Sequence, residues 1–581
     1  MEGKFYSAER NVQILISLLK AHGIKKVIAS PGATNVTLVA SLMQDTFFEL
    51  YSSVDERSAA YIACGLSAES GEPVMLSCTG ATASRNYAPG LTEAFYRKLP
   101  ILAVTSTQDA SRIGHLRAQV IDRRSQFNDL VNLSEQIPIV KDAQDEWNVN
   151  LRINRALLEL KHRGGGPVHI NLTTSYSPDF SVKELPSVRV IRRITQNDEF
   201  PELPKGRTAI FVGNHKKFTE SETIAIDKFC AVHDAVVFCD QTSGYYGKYR
   251  VQFAIAINQV NMVSDLRFVD TLIHLGEVSG DSATQQLRAK RVWRVNEDGE
   301  LRDTFQKLEY VFEMPEEVFF NYFSEGNDEE HFEYLENCNS VLNEVRANIP
   351  ELPLSNTWIA MQTAHRIPKN SILHLSILNS LRNWNMFDVD NSTVRSSNTG
   401  GFGIDGPISS LIGASLNDKN KLCFLVIGDL AFFYDMNALG NRHVDNNIRI
   451  LLINNGKGTE FRNFDHPGAA FGDEADLYIA AGGHYGNKSR ELVKHYAQDL
   501  GFEYMTADSK ETFLSQIDEF VKPELTSKPM IFEVFTTNED ESNALKAIYA
   551  SLSDSTGKMR NMVRNVFGQK GVDLAKKIIG K

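Results

Sequence analysis

The chain has 581 residues, of which 42% are hydrophobic and 23% are charged, a composition typical of globular proteins. Its 61 basic and 73 acidic side chains give a formal net charge of −12, which argues against nucleic acid as a partner, because phosphate binding requires a basic face. No apolar stretch approaches the roughly 20 residues of a membrane-spanning helix. The chain begins without an apolar signal segment, and its six cysteines lack Cys-x-x-Cys spacing. We therefore expect a cytoplasmic protein with reduced cysteines.

Helical and extended patterns alternate over residues 1–185. Helical spacing over residues 8–22 is followed by a short strand pattern at 26–29, and the alternation continues to an apolar strand at 168–172. Strands that alternate with helices of about 10–15 residues indicate crossover connections and a parallel sheet. The sequence therefore predicts an α/β domain over residues 1–185.

Two further α/β domains are predicted after a proline-rich stretch at residues 178–204, which is typical of a linker. A domain over residues 186–352 has strand patterns at 209–212, 235–239, 271–275 and 291–295, and a charged helical region at 316–348. A domain over residues 353–540 has strand patterns at 372–375, 422–427, 448–453 and 530–535. The predicted fold class is α/β, with three doubly wound parallel-sheet domains.

A basic extension is predicted at residues 541–581. Its last 31 residues, 551–581, hold seven basic and two acidic side chains, a local charge of +5. One interpretation is a solvated helix that packs on the acidic body of the protein. The other is contact with an anionic partner or a membrane surface through an apolar side of such a helix.

Two predicted strands of the third domain end in polar residues with a defined spacing. One strand ends in Gly428-Asp429, and after 24 intervening residues the next ends in Asn454-Asn455-Gly456. Because parallel strands end at the same edge of a sheet, where α/β folds bind ligands, these residues should lie close together. Asp429 and Asn455 offer hard oxygens suited to Mg²⁺ or Ca²⁺, and the helix after Asp429 offers backbone amides to phosphate. The pattern predicts a metal–diphosphate site.

This spacing resembles the signature of the thiamin diphosphate (ThDP) dependent 2-oxo acid decarboxylase superfamily. The resemblance implies that Asp429, the Asn455 side chain and the Lys457 carbonyl hold Mg²⁺, which bridges to the diphosphate of ThDP. Glu56 opens a predicted helix after a strand, where the family places the glutamate that exchanges a proton with N1′ of the cofactor's aminopyrimidine. The resemblance also implies that the three domains are the pyrimidine, middle and diphosphate-binding domains.

Further cofactor-binding positions follow from the same resemblance. Gly80 matches a glycine-rich turn, and Ile404 matches the apolar residue that holds the cofactor bent. The full set of implied cofactor-binding residues beyond Asp429 and Asn455 is Gly80, Ser380, Asn398, Gly403, Ile404, Gly428, Leu430, Gly458 and Phe461. Family members bring the glutamate and the metal-binding domain together from two subunits, so a homodimer or homotetramer is expected.

Three stretches resemble the branch of SEPHCHC synthases, which add a decarboxylated 2-oxoglutarate unit to isochorismate. They are residues 428–439, 397–406 and 117–121. In the last of these, Gln119 matches a glutamine that reaches the substrate, so Gln119 is implied as a second catalytic residue. A structural role for Gln119 is the alternative.

Departures from this branch fall at its carboxylate-binding arginines. The branch has Ser-Arg where this chain has Ala33-Thr34-Asn35, and two further arginines are replaced by Thr399 and Trp384. Because arginine forks bind carboxylates in a bidentate manner, we expect a smaller 2-oxo acid donor, such as pyruvate, or a different acceptor. The candidate substrate residues are Ala33, Thr34, Asn35, Arg382 and Arg395, with Arg123 as another possible substitute.

The leading functional hypothesis is a carboligase that joins the decarboxylated unit to an acceptor. The alternative is a non-oxidative decarboxylase that releases an aldehyde, like phosphonopyruvate decarboxylase. The absence of an adjacent His-His pair favours the carboligase, and Leu430 departs from the acetolactate synthase pattern, although a flavin in the middle domain stays open. A scaffold without activity is disfavoured because Glu56, Asp429 and Asn455 are retained together.

Overall fold

A computed structural model describes residues 5–260, 265–281, 286–326, 330–484 and 488–552. The chain divides into two compact units, one comprising Met1–Glu199 with Gly299–Glu313 and the other comprising Phe200–Asp298 with Met314–Lys581. The seven basic side chains within residues 551–581 lie outside the described residues, so both interpretations of the C-terminal extension stay predictions.

The first unit contains a sheet of parallel strands. Its strands are β1 (Lys26–Ala29), β2 (Glu49–Ser52), β3 (Val74–Cys78), β4 (Ile101–Thr107), β5 (Leu133–Ile137) and β6 (Val168–Thr173). They are ordered β2-β1-β3-β4-β6-β5. A separate parallel pair is formed by β7 (Arg192–Thr195) and a later strand, Leu308–Glu313. The helices are α1 (Arg10–Ala21), α2 (Val36–Leu42), α3 (Glu56–Ser70), α4 (Thr82–Asn86), α5 (Ala88–Arg97) and α6 (Ala143–Glu159).

Apolar side chains cover both faces of the first sheet. Successive strand residues point to opposite faces, and Met75 and Leu102 join one buried cluster, which includes residues of α1 and α6. Leu76 and Ala103 join another, which includes residues of α3 and α5. Because both faces are buried, the central strands are continuous apolar runs, as is typical of parallel sheets in α/β proteins.

The second unit contains two groups of parallel strands. The first group is β8 (Thr208–Val212), β9 (Val236–Cys239), β10 (Arg250–Val251), β11 (Phe268–Leu275) and β12 (Arg288–Val295), in the order β10-β9-β8-β11-β12. The strand Leu308–Glu313 of the first unit is β13. The second group is β14 (Ile372–Leu375), β15 (Val394–Ser396), β16 (Cys423–Gly428), β17 (Ile448–Asn454), β18 (Glu503–Ala507) and β19 (Met530–Phe535), in the order β15-β14-β16-β17-β19-β18.

Helices of the second unit connect these strands. They are α7 (Glu220–His233), α8 (Ala254–Ile257), α9 (Glu316–Phe323), α10 (Glu333–Ala347), α11 (Asn356–Thr363), α12 (Asn379–Trp384), α13 (Pro407–Ser415), α14 (Asp429–Asp435), α15 (Ala475–Tyr478), α16 (Leu492–Asp499), α17 (Lys510–Phe520) and α18 (Asn538–Tyr549). None of the helices in the described ranges is both long and apolar enough to cross a bilayer.

The parallel strands with alternating helices confirm the predicted α/β class. All six cysteines are buried and none forms a disulfide, as predicted. The charged region at 316–348 contains two helices, α9 and α10, and the proline-rich stretch contains strand β7. The predicted domain boundaries at 185, 352 and 540 stay predictions.

Glu541 is a buried carboxyl that joins α18 to the start of α11. Its two carboxylate oxygens each lie 3.0 Å from the backbone N–H nitrogen of Asn356, and the Thr536 hydroxyl donates to it at 2.7 Å. Burial raises the pKa of Glu541 from 4.5 to about 7. The folded chain therefore keeps a proton that the unfolded chain loses above pH 4.5. This group should lower the free energy of unfolding by about 3 kcal/mol as the pH rises to 7.

Replacing this carboxyl should remove that pH dependence. Glu541→Gln cannot ionise, so its melting temperature, compared with that of the wild type at pH 5 and pH 8, should fall less as the pH rises. Glu539→Gln, at an exposed position of the same helix, is the matched control and should behave like the wild type. An identical pH dependence in Glu541→Gln and the wild type would contradict the assignment.

Candidate active site

The carboxyl edge of the first sheet carries the predicted site residues of the first unit. Ala33–Asn35 follow β1, Glu56 follows β2, Gly80 follows β3 and Gln119 follows β4. Since the strands are parallel, all four connections leave the same edge, where ligands bind in α/β folds.

Glu56 is the first residue of α3 and is held in place by a neighbouring amide. The preceding Asp55 caps the helix by accepting a hydrogen bond from the Ser58 N–H at 3.1 Å. Asn86, at the end of α4, donates its Nδ2–H to Glu56 Oε2 at 3.2 Å. The partly exposed Glu56 carboxylate thus has an orienting partner, which sequence reasoning missed because the two residues are 30 positions apart.

Thr34 connects three of these strand ends through its hydroxyl. This group donates to the Ser106 carbonyl at 2.8 Å and accepts a hydrogen bond from the Gly80 N–H at 3.1 Å. Its oxygen also lies 2.6 Å from Thr79 Oγ1. Thr34 is fully buried, so its hydroxyl stabilises the edge of the sheet, and a role toward substrate stays a prediction.

The neighbours of Thr34 differ in their accessibility. Asn35 is buried and donates its Nδ2–H to the Ser30 carbonyl at 3.0 Å, whereas Ala33 is exposed. Gln119 is also exposed and has a left-handed backbone conformation with φ of +62°. Substrate contacts by these three residues stay predictions.

Gly80 allows the loop after β4 to pack closely on the turn after β3. A Cβ atom at position 80 would lie 3.1 Å from the Gln119 carbonyl oxygen and 3.2 Å from Arg123 Nη2. Contacts this short leave little space for a side chain. The structure therefore brings Gly80 and the segment 119–123 together.

Asp429 begins α14 directly after β16, at the carboxyl edge of the last sheet. Its carboxylate lies close to the backbone N–H groups of Leu430 and Gly456, which favour its ionised form. The closeness to Gly456 places the carboxylate beside the turn that follows β17, as the spacing predicts. Asp429 is 4% exposed, and burial raises its pKa to about 7, with a smaller contribution from Glu533. A nearby cation would stabilise the ionised form.

Asn455 and Lys457 lie in that same turn. Asn455 Oδ1 is buried and has no hydrogen-bond partner in the described part of the chain, while its Nδ2–H donates to Thr459 Oγ1 at 3.4 Å. Lys457 donates its Nζ–H to Asp476 at 2.5 Å, and its carbonyl accepts the Thr459 N–H at 3.0 Å. An unpartnered buried amide oxygen is unfavourable unless a ligand contacts it.

These oxygens fit a hard divalent cation. A carboxylate, an amide oxygen and a backbone carbonyl are the ligand types that Mg²⁺ accepts alongside water and phosphate oxygens. Within the described ranges, no group of three or more His, Cys, Asp and Glu residues could hold a metal ion.

The remaining predicted cofactor residues lie around the same edge. A Cβ atom at Gly458 would lie 3.2 Å from both Leu430 and Phe461, so this glycine allows the two side chains to approach. Asn398 Oδ1 accepts a hydrogen bond from Ser410 at 3.1 Å. Ser380 is buried in α12, and Gly403 lies beside Asp405. Ile404 packs on the core of the sheet, and Gly428 ends β16.

Arg382 and Arg395 are bound by protein groups. Arg382 donates to both carboxylate oxygens of Glu460, at 2.6 and 2.7 Å. Arg395 donates to Gln241 Oε1 at 3.1 Å and lies over the Tyr246 ring at 4.6 Å. It also donates to two backbone carbonyls. Either arginine would have to exchange these partners to bind a substrate, so their substrate role stays a prediction.

Comparison with known proteins shows the family to which the chain belongs. Residues 10–128 match the family described as thiamine pyrophosphate enzyme, N-terminal TPP binding domain, thiamine pyrophosphate being another name for ThDP. The chain belongs to the family of ThDP-dependent enzymes.

Relatives that match over nearly their whole length identify a narrower group within this family. The 2-succinyl-5-enolpyruvyl-6-hydroxy-3-cyclohexene-1-carboxylate synthase (SEPHCHC synthase) of Bacteroides thetaiotaomicron is 31% identical over 568 residues, which cover 94% of this chain and 99% of the relative. The enzyme of the same name from Bacteroides fragilis is 30% identical over 565 residues, covering 94% and 100%. That of Phocaeicola vulgatus is 31% identical over 569 residues, covering 94% and 99%. The resemblance to SEPHCHC synthases is confirmed.

Proposed function

We propose that the protein uses ThDP and Mg²⁺ to decarboxylate a 2-oxo acid and transfers the resulting acyl-anion equivalent to an acceptor, forming a C–C bond. The observation that carries this proposal is the buried Asp429 carboxylate, which lies beside the turn containing the unpartnered Asn455 oxygen. The relatives are named as synthases of a cyclohexene carboxylate, which supports bond formation over simple cleavage.

The predicted metal-binding residues and Glu56 each have a defined task in this proposal. Asp429, the Asn455 side chain and the Lys457 carbonyl hold Mg²⁺. Bound ThDP supplies the electron sink that decarboxylation requires. Glu56 holds and delivers a proton at N1′ of the aminopyrimidine, and the Asn86 amide orients the Glu56 carboxylate through the bond at 3.2 Å.

We propose substrates that differ from those of the SEPHCHC synthase branch: a smaller 2-oxo acid, such as pyruvate, or a different acceptor. The two arginines predicted to replace the lost ones, Arg382 and Arg395, already bind protein groups. Thr399, at a position where the branch has arginine, is buried and accepts a hydrogen bond from Asn214 at 2.7 Å. The formation of SEPHCHC by the purified protein at a rate comparable with any other product would contradict this part of the proposal.

We propose a homodimer as the smallest active assembly, with a homotetramer as the larger form. Large apolar side chains are exposed near Glu56: Val54 is 80% exposed, and Tyr61 and Ile62 on α3 are 48% and 50% exposed. Such clustered apolar exposure is typical of a surface that another protein covers.

The cytoplasmic location stays a prediction.

The direct test is CO₂ release from a panel of 2-oxo acids. Purified protein with ThDP and Mg²⁺ is incubated with pyruvate, 2-oxobutyrate or 2-oxoglutarate, with and without aldehyde or enone acceptors, and the products are identified by mass spectrometry. We expect CO₂ release that requires both ThDP and Mg²⁺, together with a coupled product. If free aldehyde remained the product in the presence of every acceptor, the simple decarboxylase would be favoured. The absence of CO₂ release with every acid would contradict the proposed function.

A further inference from the structure

Arg123 is a buried guanidinium with almost no bonding partners. Its side chain belongs to the loop that follows β4 and is 1% exposed. One nitrogen, Nη2, lies 3.4 Å from the Ser106 carbonyl oxygen, at the long limit of a hydrogen bond. The nitrogens Nε and Nη1 are buried and have no partner in the parts of the chain that the structure describes. The five N–H groups of a guanidinium therefore have one weak acceptor here.

Other buried arginines of this protein are bound differently. Arg449 donates to three backbone carbonyls, those of Phe520, Lys522 and Glu524. Arg395 donates to a side chain and to two backbone carbonyls. In both of these arginines, Nη1 and Nη2 have acceptors, and Nε is the one nitrogen without a partner among the described residues. Arg123 lacks such a set of acceptors.

The charge of Arg123 is also uncompensated. Among the residues that the structure describes, no carboxylate lies within ion-pair distance of its guanidinium. Arg85 adds a second positive charge nearby. Burial lowers the pKa of Arg123 to about 10, so the group keeps its proton at neutral pH. A buried charge without a partner is strongly unfavourable, and an anion bound beside it would remove this cost.

The guanidinium lies next to predicted site residues. A Cβ atom at Gly80 would be 3.2 Å from Nη2 and 3.3 Å from Nη1, and 3.1 Å from the Gln119 carbonyl. Gly80 is a predicted cofactor residue and Gln119 a predicted substrate residue. The hydroxyl of Ser106, whose carbonyl is the weak acceptor, is likewise buried and has no partner within the described ranges. Unused donors of Arg123 and Ser106 therefore lie at the carboxyl edge of the first sheet.

We propose that Arg123 binds a substrate carboxylate that is retained through the reaction. A carboxylate matches the two parallel N–H groups of a guanidinium. The carboxylate that leaves as CO₂ is excluded, because a tight ion pair with it would stabilise the ground state and oppose its loss. The ligand is therefore a second carboxylate of the 2-oxo acid or a carboxylate of the acceptor. This inference rests on the proposed function.

The first experiment measures anion binding without turnover. Succinate, a dicarboxylate that cannot react, is titrated into the full-length protein at constant ionic strength, by calorimetry and by its effect on the melting temperature. We expect Arg123→Gln and Arg123→Met to weaken succinate binding roughly 10- to 100-fold, the loss expected for hydrogen bonds to a charged group. Arg124→Gln is the matched control, because Arg124 is exposed and pairs with Asp122.

The same variants separate a binding role from a structural one. Without succinate, both Arg123 variants should melt at or above the wild-type temperature, because an uncompensated buried charge has been removed. A lower melting temperature with succinate affinity unchanged would overturn the proposal. If one variant fails to fold, the other still gives both measurements.

A kinetic experiment identifies which substrate carries the carboxylate. KM is compared between 2-oxoglutarate and 2-oxobutyrate as donors, and between 4-carboxybenzaldehyde and benzaldehyde as acceptors. Arg123→Gln should raise KM roughly 10- to 100-fold for the substrate with the retained carboxylate and leave its uncharged counterpart unchanged. Equal changes for all four, or no change for any, would overturn the proposal. If the wild type showed no ThDP-dependent activity, the proposed function would fail while succinate binding still tested Arg123.

Discussion

Glu56→Gln is expected to lower the rate of CO₂ release by about 1,000-fold while ThDP and Mg²⁺ still bind. Glutamine has nearly the same shape and its amide oxygen can accept the hydrogen bond from Asn86, but it cannot hold a transferable proton. General acid–base groups contribute about 10²- to 10⁴-fold to enzyme rates. The rate is measured with the best 2-oxo acid of the panel, and ThDP binding by calorimetry on the same preparation.

The control for this substitution lies on the same helix. Glu69 is exposed near the end of α3, so Glu69→Gln makes the same chemical change without touching the site. We expect it to retain wild-type turnover. A Glu56→Gln rate within tenfold of the wild type would contradict the role of Glu56.

Asp429→Asn should weaken ThDP binding in the presence of Mg²⁺ by at least about 100-fold, because the substitution removes the carboxylate from a set of neutral oxygens. ThDP binding without Mg²⁺ should change little. The ligand-free variant should melt no lower than the wild type, because an amide is less costly to bury than an ionised carboxylate. ThDP titrations at zero and saturating Mg²⁺ measure both effects.

Asp499→Asn is the matched control, because Asp499 is exposed at the end of α16. It should bind ThDP and Mg²⁺ like the wild type. Mg²⁺-dependent ThDP affinity within threefold of the wild type in Asp429→Asn would refute the proposed metal ligand.

Mixing these two inactive variants tests the proposed dimer. If each active centre takes Glu56 from one subunit and Asp429 from its partner, a mixed dimer of Glu56→Gln and Asp429→Asn has one intact centre and one with both defects. Random exchange of subunits should then restore about a quarter of the wild-type activity, since half of the dimers are mixed. No recovery after verified exchange would show that both residues act within one chain.

The central strands could be predicted from the sequence, whereas most of the edge strands could not. The strands Lys26–Ala29, Ile372–Leu375 and Met530–Phe535 have the predicted bounds, because strands covered on both faces are continuous apolar runs. Strand Leu133–Ile137 at the edge of its sheet, and the short strand Arg192–Thr195, contain mostly polar residues. Their hydrogen bonds come from tertiary partners, which local patterns do not specify.

The candidate site shows the same division. The closeness of Asp429 to the turn containing Asn455 follows from strand topology, and the structure places the two side by side as predicted. The Thr34 bonds to residues 46 and 72 positions away, and the Arg382–Glu460 pair across 78 positions, depend on loops whose course local patterns do not define. The burial of Arg123 with one weak acceptor among the described residues could not be predicted either, because an arginine between charged neighbours is usually exposed.

The segment after Asn455 is held against α12 by hydrogen bonds between protein groups. Asn379 donates to Thr459 at 2.8 Å, Asn463 donates to Asn379 at 3.1 Å, and Arg382 is paired with Glu460. The conformational entropy of ordering this segment is therefore lost during folding and not during cofactor binding. If this segment borders the proposed diphosphate site, cofactor binding should therefore require little further ordering of this part of the chain.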